Sequence, residues 1–133
     1  MIKKIEHIGI AVKDLKKSEL LFEKLLGEKP YKIEEVKPEG VITSVFKVAD
    51  QKVELLSATS TDSPVSKFIE KRKEGIHHLA FHVDSIEKEV ERLESLGFEF
   101  ISTTPKKGAD NKMIVFLHPK TTNGVLIELC EEI

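Results

Sequence analysis

The sequence predicts an α+β domain built from two tandem βαβββ modules, and three observations carry that prediction. Residues 5–12 (IEHIGIAV) are echoed by residues 75–83 (GIHHLAFHV), each an alternating stretch with a histidine among small residues. Both stretches are followed by the same series of elements, a helix and then three strands. Matching positions also recur at a nearly constant separation: His7 and His78 are 71 residues apart, Gly27 and Gly97 are 70, and Glu54 and Glu128 are 74. Such a period across half a chain marks internal duplication. At 133 residues the chain has room for one ordinary domain, or for two small halves sharing a core. We read residues 1–133 as one domain, with module one at about 1–60, a connecting helix at about 63–74 and module two at about 75–133.

The elements follow in order. Residues 3–12 form the first strand, in which Ile5, His7, Gly9 and Ala11 share one face and Ile8, Ile10 and Val12 the other. Asp14 offers an N-cap to a helix over 15–26, with Leu15, Leu21, Phe22, Leu25 and Leu26 at helical spacing and Gly27 as the stop. Strands are expected at 30–37, 41–48 and 52–58. After the polar connector TSTDSP, Ser63 and Pro64 open the connecting helix as N-cap and first helical residue. Strand 75–83 comes next, with His78 facing one way and His77 the other. Asp84 and Glu87 have the spacing of a capping box for a helix over 86–96, whose Ile86, Val90, Leu93 and Leu96 line one face. Strands at about 98–102, 112–118 and 124–130 complete the second module.

Composition narrows the function classes. A hydrophobic content of 40% beside 33% charged residues describes a soluble globular chain with a real core. The net charge of −2 gives no reason to expect nucleic acid or a membrane surface, and no apolar run reaches the length of a membrane span. The N-terminus enters a strand at once, without the apolar core of a signal peptide. The single cysteine, Cys130, excludes an internal disulfide, suits a reducing cytoplasm and is expected to be a small buried hydrophobe.

The duplication places a histidine in the first strand and a glutamate in the last strand of each module: His7 with Glu54, and His78 with Glu128. A lone strand histidine or glutamate is ordinarily structural or solvent-facing. Four of them at repeat-equivalent positions make a different case. A carboxylate on a half-buried strand must be paired, hydrogen-bonded or bound to a metal. Two imidazoles and two carboxylates suit one divalent first-row ion, and cobalt, manganese, nickel and zinc all accept that set. His77, His82 and His118 are read as structural, with His82 at most supporting His78.

On these residues the chain resembles the vicinal oxygen chelate superfamily of glyoxalases, bleomycin-resistance proteins and dioxygenases. Within it, DSPVSKFIEKRKEGIHHLAFHVDSIE and IVFLHPKTTNGVLIELCE are similar to the methylmalonyl-CoA epimerase family. The resemblance covers essentially the whole chain. It implies two βαβββ modules forming a half-barrel around a metal, usually in a homodimer, with His7, His78 and Glu128 as ligands and Glu54 at the fourth position. It also implies an acyl-CoA substrate, epimerised between the (R) and (S) forms of methylmalonyl-CoA by 1,1-proton transfer through a metal-stabilised enolate. Glu128 and Glu54 would then be the proton-transfer groups, and Lys67, Lys106, Lys107 and Lys120 candidate contacts for the CoA phosphates. Two departures stand out: some epimerases carry Gln where this chain has Glu54, and some a glutamate base where it has Thr43. One alternative is a glyoxalase I-type lactoylglutathione lyase. Against it stand Ala11 and Ala58, at positions where that family carries an Arg and an Asn. The other is a metal-free module that sequesters a small ligand, but the chain has one Tyr and no Trp to wall such a pocket.

Overall fold

The computed structural model describes residues 1–133 as eight strands and three helices. They are β1 (Ile2–Ala11), α1 (Leu15–Leu26), β2 (Lys32–Val36), β3 (Val41–Val48), β4 (Gln51–Ala58), α2 (Pro64–Arg72), β5 (Gly75–Val83), α3 (Ile86–Ser95), β6 (Lys106–Lys107), β7 (Lys112–Leu117) and β8 (Ile127–Glu132). The chain divides into two compact units, one of His7–His77 and one of Met1–Glu6 with His78–Ile133.

In the unit His7–His77, β3 pairs antiparallel with both β2 and β4, and β4 pairs parallel with residues 7–11 of β1. Helix α1 begins where Asp14 accepts from the Lys17 amide, and it ends where Gly27 turns left-handed at φ 77°. Its Leu15, Phe22 and Leu26 pack on Val12, Phe46 and Leu55, which are buried on one face of the sheet. Leu21 and Leu25, expected to face that core, are instead 62% and 72% exposed. The buried place among them goes to Glu19, whose carboxylate accepts from the Ser44 hydroxyl at 3.2 Å. Ser63 caps α2 as expected, with Pro64 as its first residue.

The second unit repeats the pattern. β7 pairs antiparallel with β6 and β8, and β8 pairs parallel with β5. Val83, Ile86, Val90, Leu93, Val115, Leu117 and Leu129 make a core between α3 and one face of these strands. Glu89, 70 residues after Glu19, is also buried on its helix, here held by Arg92 at 2.9 Å and the Met1 ammonium at 3.2 Å. Two expectations are corrected in this unit. The α3 cap is Ser85, accepting from the Lys88 amide, whereas Asp84 pairs with Lys3 at 3.2 Å; Glu87 is therefore one position short of a capping box. Residues 98–102 form no strand. They touch β7 through one bridge, Phe100 to Leu117, while Phe98 and Phe100 pack against the core, and ladder pairing with β7 resumes only after Pro105, at β6.

Candidate metal-binding and catalytic residues

In the first unit, strand register decides which side chains meet. Gly9 lies opposite Glu54 across the parallel pair, and Val45 lies opposite Glu54 across the antiparallel pair. Residues opposed in this way share a face, and so do residues two apart in one strand. His7, Glu54 and Thr43 therefore stand on the face away from α1. There His7 Nδ1 is 3.1 Å from Glu54 Oε2, and both side chains are 5% exposed. Thr43 is 1% exposed and its hydroxyl donates to the Glu34 carbonyl at 3.2 Å. A hydroxyl bound to a backbone oxygen makes no general base at neutral pH, in keeping with the departure read at this position.

The second unit builds the same arrangement from the other copy. Ala80 and Phe116 lie opposite Glu128 on either side, and His78 is two residues from Ala80 on the same face. His78 Nε2 is 3.5 Å from Glu128 Oε1, with side chains 5% and 6% exposed. The Phe116 ring meets the imidazole edge-on, with centroids 5.9 Å apart at 89°, which fixes the ring's tilt.

Each unit thus holds one buried imidazole–carboxylate pair at the repeat-equivalent place. The donors are nitrogen and oxygen, carried on rigid strands and shielded from bulk water. That set fits a divalent first-row ion, whose charge would offset that of the buried carboxylates. Of the other histidines, His77 and His118 make local contacts of their own, whereas His82 shares the strand face of His78. His77 turns edge-on to Phe68 at 4.9 Å, and burial pushes its imidazole below the ordinary value, with Glu39 opposing that shift. His118 accepts the Lys120 amide at 3.1 Å and caps a turn. Lys120 itself lies 2.9 Å from Glu99 at the surface.

Sequence reading missed one neighbour of the site. Cys130 is fully buried, as expected of a small hydrophobe, but its thiol donates to Glu128 Oε2 at 2.7 Å. The signal was available in the alternation, since a residue two beyond Glu128 on a strand must share its face.

With this geometry in place, comparison with known proteins sets its family context. A model of the glyoxalase/bleomycin resistance protein/dioxygenase superfamily matches residues 6–116. The chain belongs to that superfamily. It is 37% identical to the mitochondrial methylmalonyl-CoA epimerase of Dictyostelium discoideum over 98% of this chain and 80% of that protein. It is 35% identical to the ethylmalonyl-CoA/methylmalonyl-CoA epimerase of Cereibacter sphaeroides, over 97% of this chain and 98% of the relative. Among solved structures, a variant of the Streptomyces coelicolor methylmalonyl-CoA epimerase in complex with 2-nitronate-propionyl-CoA superposes with a TM-score of 0.94 at 30% identity, covering 99% of this chain and 96% of the other. The expected α+β, glyoxalase-like fold is borne out. No helix is long and apolar enough to cross a membrane.

Proposed function

We propose that this chain is a methylmalonyl-CoA epimerase. The observation that carries the reading is the pair of buried His–Glu contacts, one in each repeat, in a chain that aligns nearly end to end with epimerases of that substrate. His7, Glu54, His78 and Glu128 would hold one divalent ion per subunit, with both βαβββ modules serving a single catalytic domain. When bound, such an ion acts as a Lewis acid that stabilises negative charge developing on the thioester oxygen.

The chain's own residues then have to move protons. Epimerisation at C2 breaks one C–H bond, leaves its electron pair delocalised into the thioester carbonyl, and forms a new C–H bond on the opposite face. Glu54 and Glu128 supply the two groups, one from each repeat. In one direction the first takes the C2 proton as a carboxylate and the second, protonated, delivers its own; in the other direction they exchange roles. Burial suits this chemistry, because a carboxylate removed from water is a stronger base and is held in position before substrate arrives. Thr43 takes no part in proton transfer. The working form is a homodimer in the cytoplasm, and the exposed Leu20, Leu21 and Leu25 of α1 are apolar surface that an assembly could cover.

Metal analysis of the purified protein and exchange of the C2 proton of methylmalonyl-CoA in deuterated water test the reading together. Stoichiometric divalent metal with rapid exchange is expected. Turnover of the glutathione hemithioacetal in place of methylmalonyl-CoA would assign a glyoxalase I-type lyase, and a protein that binds no metal and exchanges no proton would be a ligand-sequestering module.

A further inference from the structure

The two glutamates are repeat-equivalent, yet their neighbours are not. Two residues beyond Glu54 stands Leu56, a buried apolar side chain with no hydrogen to donate. Two residues beyond Glu128 stands Cys130, with no exposed surface, packed with Ala80, Ile114 and Phe116. Register explains the enclosure: Cys130 is opposed by His82 on one side and Ile114 on the other, and Glu128 by Ala80 and Phe116. The thiol is fully buried, with a Glu6 carboxylate oxygen within 4.8 Å of its sulfur, and the oxygen it donates to is Glu128 Oε2, 2.7 Å away. The other carboxylate oxygen, Oε1, is the one nearer His78 Nε2, at 3.5 Å. The Phe116 ring that packs on Cys130 also meets the edge of His78, so thiol, carboxylate and imidazole are braced by one aromatic side chain.

We propose that Cys130 is a positioning residue for the epimerase reaction: its S–H occupies Oε2 of Glu128 and so fixes Oε1 as the single oxygen presented to ion and substrate. The inference rests on the epimerase reading above and adds a division of labour to it. Glu128 becomes a carboxylate with one oxygen committed inside the protein. Glu54 has Leu56 rather than a thiol in the matching place, and its Oε2 lies 3.1 Å from His7 Nδ1.

Three variants separate the donor from the packing. Cys130→Ser keeps a hydrogen to donate, Cys130→Val fills the site with a somewhat larger apolar side chain that has none, and Cys130→Ala removes both donor and volume. Each is brought to equal folded fraction by circular dichroism. Zinc retention is then measured by chelator competition, and kcat and KM are measured on methylmalonyl-CoA at saturating zinc. Residues that orient a metal ligand typically change affinity or activity by about 10–100-fold. Cys130→Val and Cys130→Ala should therefore lose zinc affinity by about tenfold or more and lower kcat with little change in KM, while Cys130→Ser stays near native. Native-like zinc affinity and kcat in Cys130→Val would overturn the positioning role. So would equal impairment of Cys130→Ser and Cys130→Ala. Native protein that neither binds zinc nor exchanges the C2 proton would instead sink the epimerase reading itself, and the inference with it.

Discussion

Replacing Glu54 by glutamine separates its two proposed duties, because the structure bounds what each can cost. The amide is nearly isosteric and keeps an oxygen near His7 Nδ1, where the carboxylate now lies at 3.1 Å. What disappears is the charge and the ability to accept a proton. A hydrogen bond to an ionised group contributes about 1.5–3 kcal/mol and a neutral one about 1 kcal/mol, so the contact with His7 loses on the order of 1–2 kcal/mol. If all of that appears in metal binding, affinity falls by about 5–30-fold. Losing a general base costs more, about 100- to 10,000-fold in rate. The two effects therefore do not overlap once metal is saturating. The assay follows deuterium incorporation at C2, starting separately from the (R) and (S) thioesters, by mass spectrometry. With Glu54 as one of two bases, the variant should lose inversion by at least about 100-fold in both directions, and should lose exchange from only one epimer, since Glu128 still addresses the other. Native inversion rates at saturating metal would refute a proton-transfer role and leave Glu54 a ligand. Equal loss of exchange from both epimers would refute the assignment of one base to each repeat.

Three further outcomes follow from the packing. His77 is held below its ordinary value near 6.5 by burial, so the unfolded chain takes up a proton first as pH falls. Its contribution to stability is complete above about pH 6.5 and lost below it, and denaturant titrations at pH 7.5 and 5.5 should show a smaller drop for His77→Phe than for the native chain. The Arg92 guanidinium, with the Met1 ammonium behind it, holds the Glu89 carboxyl below its usual range, so its contribution is present above about pH 4.5 and disappears as pH falls through the lowered value. Glu89→Gln should cost about 1–2 kcal/mol at pH 7, where half-exposed Arg92 limits the gain, and progressively less as pH falls through the lowered value. Gly40 has φ +64°, and a Cβ there would sit 2.8 Å from Ser63 Cβ. Gly40→Ala should destabilise by about 1–3 kcal/mol in thermal melts, whereas Gly27, with nothing within 4 Å of its would-be Cβ, should tolerate alanine better.

Much of the fold was legible because local rules agreed with one another. Helix α1 ran between an aspartate cap and a glycine stop, β3 between two turns, and β5 alternated, so their limits fall where the sequence put them. The buried His–Glu pairs were legible for a different reason, since duplication turned four unremarkable residues into two matching contacts. Failures came where two local signals competed. Asp84 and Ser85 are adjacent and both cap helices well; the choice fell to Ser85 because Asp84 found Lys3, a contact distant in sequence. Residues 98–102 have the aromatic content of a strand, but their phenylalanines are spent on the α3 core and leave only one bridge to β7. Helical spacing marked Leu21 and Leu25 as inward, and no periodicity rule anticipates a glutamate buried in their stead. Glu19 can be buried because Ser44, a small polar residue at the centre of β3, donates to it from the facing sheet.

The repeats also differ in how matched polar groups are satisfied. Glu19 and Glu89 occupy the same helical position, but one is satisfied by a neutral hydroxyl and the other by cations. Glu54 and Glu128 occupy the same strand position and each meets an imidazole, but only Glu128 has a thiol two residues along its strand donating to its other oxygen. Duplication alone would yield two interchangeable carboxylates. In the proposed reaction the two carboxylates differ at any moment in protonation and exchange roles with direction, so each must be able to serve as acid and as base. Single changes among the neighbours, such as cysteine in place of leucine two residues along the strand, are enough to give repeat-equivalent glutamates different hydrogen-bonding demands. Repeat symmetry thus accounts for where the two carboxylates stand, and the departures from it give each a different set of neighbours.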